Sequence, residues 1–196
     1  MKNILAFILF TLCLAPEIWS QNIYQTPEGH IIISGKYKGE TVLAESHGLY
    51  LFLDYTTKEF RGSLELATLD SGIDSLDALL VALKPTQVLF SGVIPNDDFI
   101  SWEHLELEFD VPLTVQLLGK ELNQSLKIKL NHFKDSKAYA CLLSGVMNLD
   151  ISELEPQLEG FGDSIEVKFT QVLERVGKFY SAEKSIRQRH IEILAR

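Results

Sequence analysis

The chain has 196 residues, of which 46% are hydrophobic and 23% charged, enough for one domain with a sizeable core. Its formal net charge of −9 argues against nucleic acid or an anionic membrane surface as a main partner, since both call for a basic footprint. Acidity beyond that speaks chiefly to solubility.

Residues 1–20 read as a secretory signal peptide, with Lys2 as the charged start and 4–15 as an apolar run too short to span a bilayer. Pro16 and Glu17 break the run, and Ser20 is a small residue suited to the position before cleavage. Export to the periplasm or beyond follows, after cleavage near Ser20, and with it an oxidising compartment. Leu12 before Cys13 is a poor match to a lipoprotein site. Removal of the leader leaves Cys141 alone, so no internal disulfide can form. Its apolar strand makes it a buried, inert thiol rather than a nucleophile.

Segments 30–37, 40–46 and 48–55 are rich in Ile, Val, Leu, Tyr and Phe. Gly39 and His47-Gly48 separate them as tight-turn signals. The 56–58 turn leads into a further strand over 59–68, and short connections imply antiparallel neighbours. Leu76, Leu79, Leu80 and Leu83 recur at helical spacing and predict a helix over 74–83. Asp74 is the expected N-cap, and Pro85 ends the helix. A strand over 86–93 and a polar loop over 94–101 come next. Phe99 and Trp102, aromatic residues around that loop, either cap the core or gate a ligand.

The centre of the chain is its strongest signal. Leu105, Leu107, Phe109, Val111, Leu113, Val115 and Leu117 alternate with polar residues, the pattern of a strand with one face in a core. At ~3.3 Å per residue it is roughly 40 Å long. A two-residue loop at Gly119-Lys120 returns the chain. That register sets Phe109 opposite Leu130, Val111 opposite Ile128, Leu113 opposite Leu126, and Asp110 opposite Lys129. It also places Gln124 on the inner face, opposite Val115, and makes Pro112 a bulge or a bend. The turn at 134–137 leads to a strand over 138–150 with Tyr139, Cys141, Leu143 and Met147 facing inward. An acidic loop spans 153–162. A last strand over 164–173 turns Ile165, Val167, Phe169 and Leu173 to one side. The locally basic tail, 181–196, reads as a short amphipathic helix, either solvated or in contact with a surface.

These elements make an all-β domain: eight or nine antiparallel strands with one inserted short helix and a C-terminal helical tail. Closure into a barrel removes the edges of such a meander. No HExxH, GxSxG, P-loop, GxGxxG or CxxC motif occurs. His30, His47, His104, His132 and His190 are scattered, and Glu106, Glu108 and Asp110 form an acidic row on the wet face beside Lys129. No metal, cofactor or catalytic residue is expected.

Residues Leu64-Glu65-Leu66-Ala67-Thr68-Leu69-Asp70-Ser71-Gly72 resemble the "V-x-S-I-D-T-G" strand and turn of the YceI-like family. Leu76-Asp77-Ala78-Leu79-Leu80 and 84–91 are similar to its "R-D-x-H-L" and "K-Y-P-x-I-x-F-x-S" segments, and 115–119 to its "L-T-I-x-G" turn. The similarity runs over roughly 29–173. The chain departs from the family at Leu76 and Gln116, where the pattern has arginine and threonine, and it lacks the histidine of "R-D-x-H-L". The resemblance implies an extended, lipocalin-like barrel over 21–180 in the bacterial periplasm, binding a polyisoprenoid chain such as that of an isoprenoid quinone. The partner is then a long-chain isoprenoid or other lipid, with no transmembrane segment in the mature chain and homodimer formation left open. The expected liners are Leu64, Leu66, Phe90, Leu105, Leu107, Phe109, Val111, Leu126, Ile128, Leu130, Val167 and Phe169. The alternative is a ligand-free structural or interaction protein of the cell envelope, its apolar faces packed on one another.

Overall fold

A computed structural model of the chain describes residues 23–95, 106–133, 139–154 and 158–176, without the side chains of Pro27, Tyr139 and Ala140. The leader, the 181–196 tail, Phe99, Trp102, His104, Leu105 and His190 lie outside the described residues. Eight strands follow in order: β1 (Ile23–Tyr37), β2 (Glu40–Asp54), β3 (Glu59–Glu65), β4 (Gln87–Val93), β5 (Glu106–Leu117), β6 (Lys120–His132), β7 (Tyr139–Asp150) and β8 (Phe161–Arg175). Each pairs with the next, and β8 pairs antiparallel with β1 to close the barrel. The one α-helix among the described residues, α1 (Asp74–Ala82), lies between β3 and β4. The expected all-β barrel with an inserted helix is the fold that forms.

Turn chemistry sets the register. Lys38 and Gly39 both have positive φ (52° and 86°), as do Leu118 and Gly119 (51° and 80°). Two successive positive φ values define the type I′ hairpin, whose twist matches that of its strands. The β5–β6 loop is therefore Leu118-Gly119, closed by the Leu117–Lys120 pair, not Gly119-Lys120. The whole hairpin register moves by two residues from the expected one: Phe109 faces Ile128, Val111 faces Leu126, Leu113 faces Gln124, and Asp110 faces Lys127. A two-residue shift keeps every side chain on its face, so the inner and outer sets stand as read.

The same register accounts for Pro112. A two-residue loop makes the closing pair hydrogen-bonded, and alternation makes Pro112–Ser125 a non-hydrogen-bonded pair. The proline nitrogen then points toward β4, whose ladder with β5 ends one residue away at Gly92–Leu113. No bond to β6 is lost, and the β4–β5 ladder stops where the proline has no N–H to give, so neither bulge nor bend is needed.

Other boundaries also differ from expectation. His47-Gly48 is not a turn but part of one continuous strand β2. The β1–β2 register shifts between Gly29–Leu49 and Ile31–Ser46, so the extra residues are absorbed as a bulge. The third strand stops at Glu65 and turns into a 3-10 turn, Leu66–Thr68. The N-cap of α1 is Ile73, without a side-chain cap bond. Asp77 instead turns back, accepting from the Ser71 N–H and hydroxyl at 2.9 and 2.7 Å.

Because β3 has 7 residues against 15 in β2, the upper half of β2 has no β3 beside it. The segment between β3 and β4 fills that gap. Its base is pinched by the Leu66 N–H donating to the Thr86 carbonyl at 2.8 Å. Glu45 and Asp70 exchange two backbone bonds, both 2.9 Å, which join it to β2. Helix α1 turns Leu76 and Leu80 inward.

The barrel has two unlike ends. The described chain enters and leaves at the lower end, where the Val176 N–H donates to the Ile23 carbonyl. There Leu51, Leu53, Phe60, Leu130, Leu143 and Leu173 have no exposed surface, so the lower bore is filled by side chains. The upper end carries the two tight turns and α1.

At Gly39 a Cβ would meet nothing within 4 Å. Gly39→Ala is therefore expected to lose only the cost of holding an L-residue at positive φ, about 1–2 kcal/mol, read as a lower denaturant midpoint with an unchanged slope.

Candidate functional site

Among the described residues, two enclosed apolar spaces lie inside the upper half of the barrel, while two larger, open hollows lie on its outer wall. An inner cavity of about 90 Å³ draws lining residues from all eight strands, and every one of them is apolar. Six of the expected liners surround it: Leu64, Leu66, Phe90, Leu126, Val167 and Phe169. Above it an outer cavity of about 80 Å³ is roofed by Leu76, Leu80 and Leu83 of the helical insert. Ile33, Leu66, Leu117 and Ile165 line both, so the two spaces are stacked and divided only by these side chains.

Of the remaining expected liners, Leu105 lies outside the described residues and the other five sit elsewhere. Val111, Ile128 and Leu130 are fully buried in the filled lower half, and Leu107 and Phe109 are half-buried against the same core. None of these five borders either cavity. The structure instead brings Ile31, Leu49, Val88, Leu113, Val115, Met147 and Leu149 to the inner cavity. Alternation identified the inward face of β5 but not the height along the barrel at which the core gives way to space. Leu113, Val115 and Leu117 continue the same apolar face, and that was the available signal.

The mouth offers few polar groups to the interior. Lys36 is exposed, with its side chain against Gly162 on the outer wall. Tyr37 is buried, its ring 5.1 Å from that of Phe161 and 5.0 Å from the Lys38 ammonium. Gln124, expected on the inner face, is half-exposed just above the point where the β6–β7 ladder ends at Lys127–Val146.

At the closed end the rings of Tyr24 and Tyr55 meet edge-on at 5.0 Å, and those of Tyr55 and His132 at 5.9 Å. Cys141 lies beside Tyr55. Burial pushes the Cys141 thiol up to about 12, although a hydrogen bond with Tyr55 works the other way. Burial also pushes the Tyr55 phenol well above its ordinary range, with Cys141 and then Tyr24 adding to it. A thiol this far from ionisation is a poor nucleophile, in keeping with an inert core residue.

On the outer wall, Lys129 bonds Glu106 at 2.5 Å and lies 3.6 Å from Glu108, and the Glu106 bond raises its pKa. Lys129 thus offsets the acidic row on the solvated face through Glu106 and Glu108, while Asp110 faces Lys127. His30 and His47, far apart in sequence, stack at 4.7 Å, with His30 Nε2 3.1 Å from Glu45 Oε2. The β1–β2 bulge that brings them together had no signature in their spacing. Among the described residues no group of three His, Cys, Asp or Glu could hold a metal, and no helix is long and apolar enough to cross a membrane.

No family model matches the chain, and no curated protein matches it. Among solved structures, a polyisoprenoid binding domain from Saccharophagus degradans, implicated in plant cell wall breakdown, is similar at a TM-score of 0.64. The match covers 80% of this chain and 99% of that one, at 12% identity. The two share a fold. The expectation of a YceI-like barrel is met at that level.

With Cys13 replaced by serine, native protein is expected to leave Cys141 unreactive toward an aromatic disulfide at pH ~8, and to react fully in denaturant. The raised thiol also sets a sign for stability. Unfolded chain ionises first, so stability is full below the ordinary value of 9.0 and falls as pH rises toward about 12. Urea midpoints measured across that window should fall, and fall less in Cys141→Ala.

Proposed function

We propose that this protein is an exported, non-catalytic lipid-binding barrel that holds a long apolar chain of isoprenoid type in its upper half. The observation that carries the reading is the inner cavity, whose lining contains no polar side chain. A ligand with hydrogen-bonding groups would lose its water there and gain no partner. A hydrocarbon or polyprenyl chain loses nothing. The shared fold with a polyisoprenoid binding domain supports the same class of ligand. The leader at 1–20 supports a role outside the cytoplasm.

Magnitudes limit how such a chain is held. Burial gains ~0.8 kcal/mol per methylene, so a chain of ~40 carbons would nominally gain ~30 kcal/mol. Non-covalent affinities level off near ~18–21 kcal/mol. Much of the nominal gain is therefore offset by ordering the chain and by its leaving a membrane. The cavities, about 90 and about 80 Å³, are also smaller than the roughly 300–1,000 Å³ of ordinary ligand pockets. A long chain therefore enters only as the lining side chains move apart. Met147, unbranched and on the inner cavity, is suited to do so.

The filled lower bore favours a second reading, a ligand-free structural barrel of the cell envelope. Mass spectrometry of an organic extract of the purified protein separates the two. A co-purifying long-chain lipid, and saturable uptake of one added to extracted protein, are expected. An empty extract with no uptake would leave the structural barrel as the better account.

A further inference from the structure

At the floor of the inner cavity two inward-facing glycines stand directly opposite phenylalanines. Gly62 of β3 pairs with Phe90 of β4, and Gly145 of β7 pairs with Phe169 of β8. Each ring lies over its partner glycine. A Cβ on Gly62 would come within 2.2 Å of Phe90 Cζ, and one on Gly145 within 2.3 Å of Phe169 Cζ. Both rings border the inner cavity. Immediately below, Phe60 is fully buried with its ring 5.9 Å from that of Phe90. Ile128, the β6 neighbour of Gly145, is fully buried as well. The inner cavity is bordered by these two rings on the side of the filled bore, and Gly62 and Phe90 also border an open hollow of about 400 Å³ on the outer wall.

We propose that the Gly62–Phe90 and Gly145–Phe169 pairs set the depth of the bore, and so select the length of apolar chain the barrel accepts. The inference rests on the lipid-binding reading above. An inward phenylalanine on a barrel wall has two places for its ring: across the neighbouring strand or out into the bore. A bare glycine opposite makes the first available, and such a ring shields the glycine backbone in return. The rings then form a flat stop rather than an obstruction.

The two glycines differ in what surrounds them. At Gly145 the three nearest atoms to an added methyl all belong to the Phe169 ring, which can turn upward into the cavity. At Gly62 the methyl would also meet the Tyr50 carbonyl at 2.4 Å, backbone that moves only with β2. Gly145→Ala is thus the informative change, because it shortens the bore without forcing the wall. Phe169→Leu does the reverse and extends the bore toward Ile128.

The test is displacement of a fluorescent polyene by geraniol, farnesol, geranylgeraniol and solanesol from wild type, Gly145→Ala, Phe169→Leu and the double variant. Wild type should show a preferred length. Gly145→Ala should move the preference to a shorter alcohol and weaken the wild-type optimum by about tenfold or more. Phe169→Leu should move it to a longer one, and the double variant should return toward wild type, a rescue that general destabilisation does not produce. Should Gly145→Ala fail to fold, Phe169→Leu and Phe90→Leu carry the test alone. An unchanged length preference in folded, binding-competent variants overturns the depth stop and leaves lipid binding standing. Absence of binding by wild type overturns both.

Discussion

Closure of β8 onto β1 is the constraint on which the rest of the molecule depends. A meander of this length, left open, would expose two strand edges and one face of leucines. Once closed, the alternation along each strand has a single meaning, with odd positions of β5 inside and even ones outside. The interior is then apolar by default, and its use depends on how completely it is filled. The lower half is filled to the point where large side chains have no exposed surface, and the upper half is not. Both halves arise from the same alternating pattern, so the difference between core and cavity is one of volume, not polarity.

Much of the fold was legible from residue order because it rests on local chemistry. Period-two alternation located β5 and β6, leucines at helical spacing located α1, and Pro85 marked where it had to stop. The errors have local causes too. Gly119-Lys120 is the Gly-X pair of a type II′ loop, yet the loop that forms is Leu118-Gly119, with Leu118 taking a positive φ of 51°. His47-Gly48 carries the composition of a turn but sits in a bulge of β2.

The site was less legible, for a reason of geometry. Sequence gives the face of a strand, and register with its neighbours gives height along the barrel axis. Val111 and Val115 are equivalent by pattern, yet one is packed beneath the cavity and the other lines it. The glycines opposite Phe90 and Phe169 are likewise visible only once β3–β4 and β7–β8 are aligned. The stacked His30 and His47 depend on a bulge in the same way. Each of these is a relation between strands, and none is written in any one of them.

The insert that stands in for the upper half of β3 has a consequence of its own. Along β7, β8, β1 and β2 the enclosure is backbone lattice, in which replacing one stave disturbs both neighbours. Here a panel of roof hangs from a pinched base at Leu66 and Thr86, stitched to β2 at Glu45 and Asp70. Its leucines Leu76, Leu80 and Leu83 line the outer cavity as buried members of the core. Lengthening, shortening or exchanging that panel alters the headroom above the hollow while the staves keep their alignment, which makes it the natural place for such a container to be refitted for different contents.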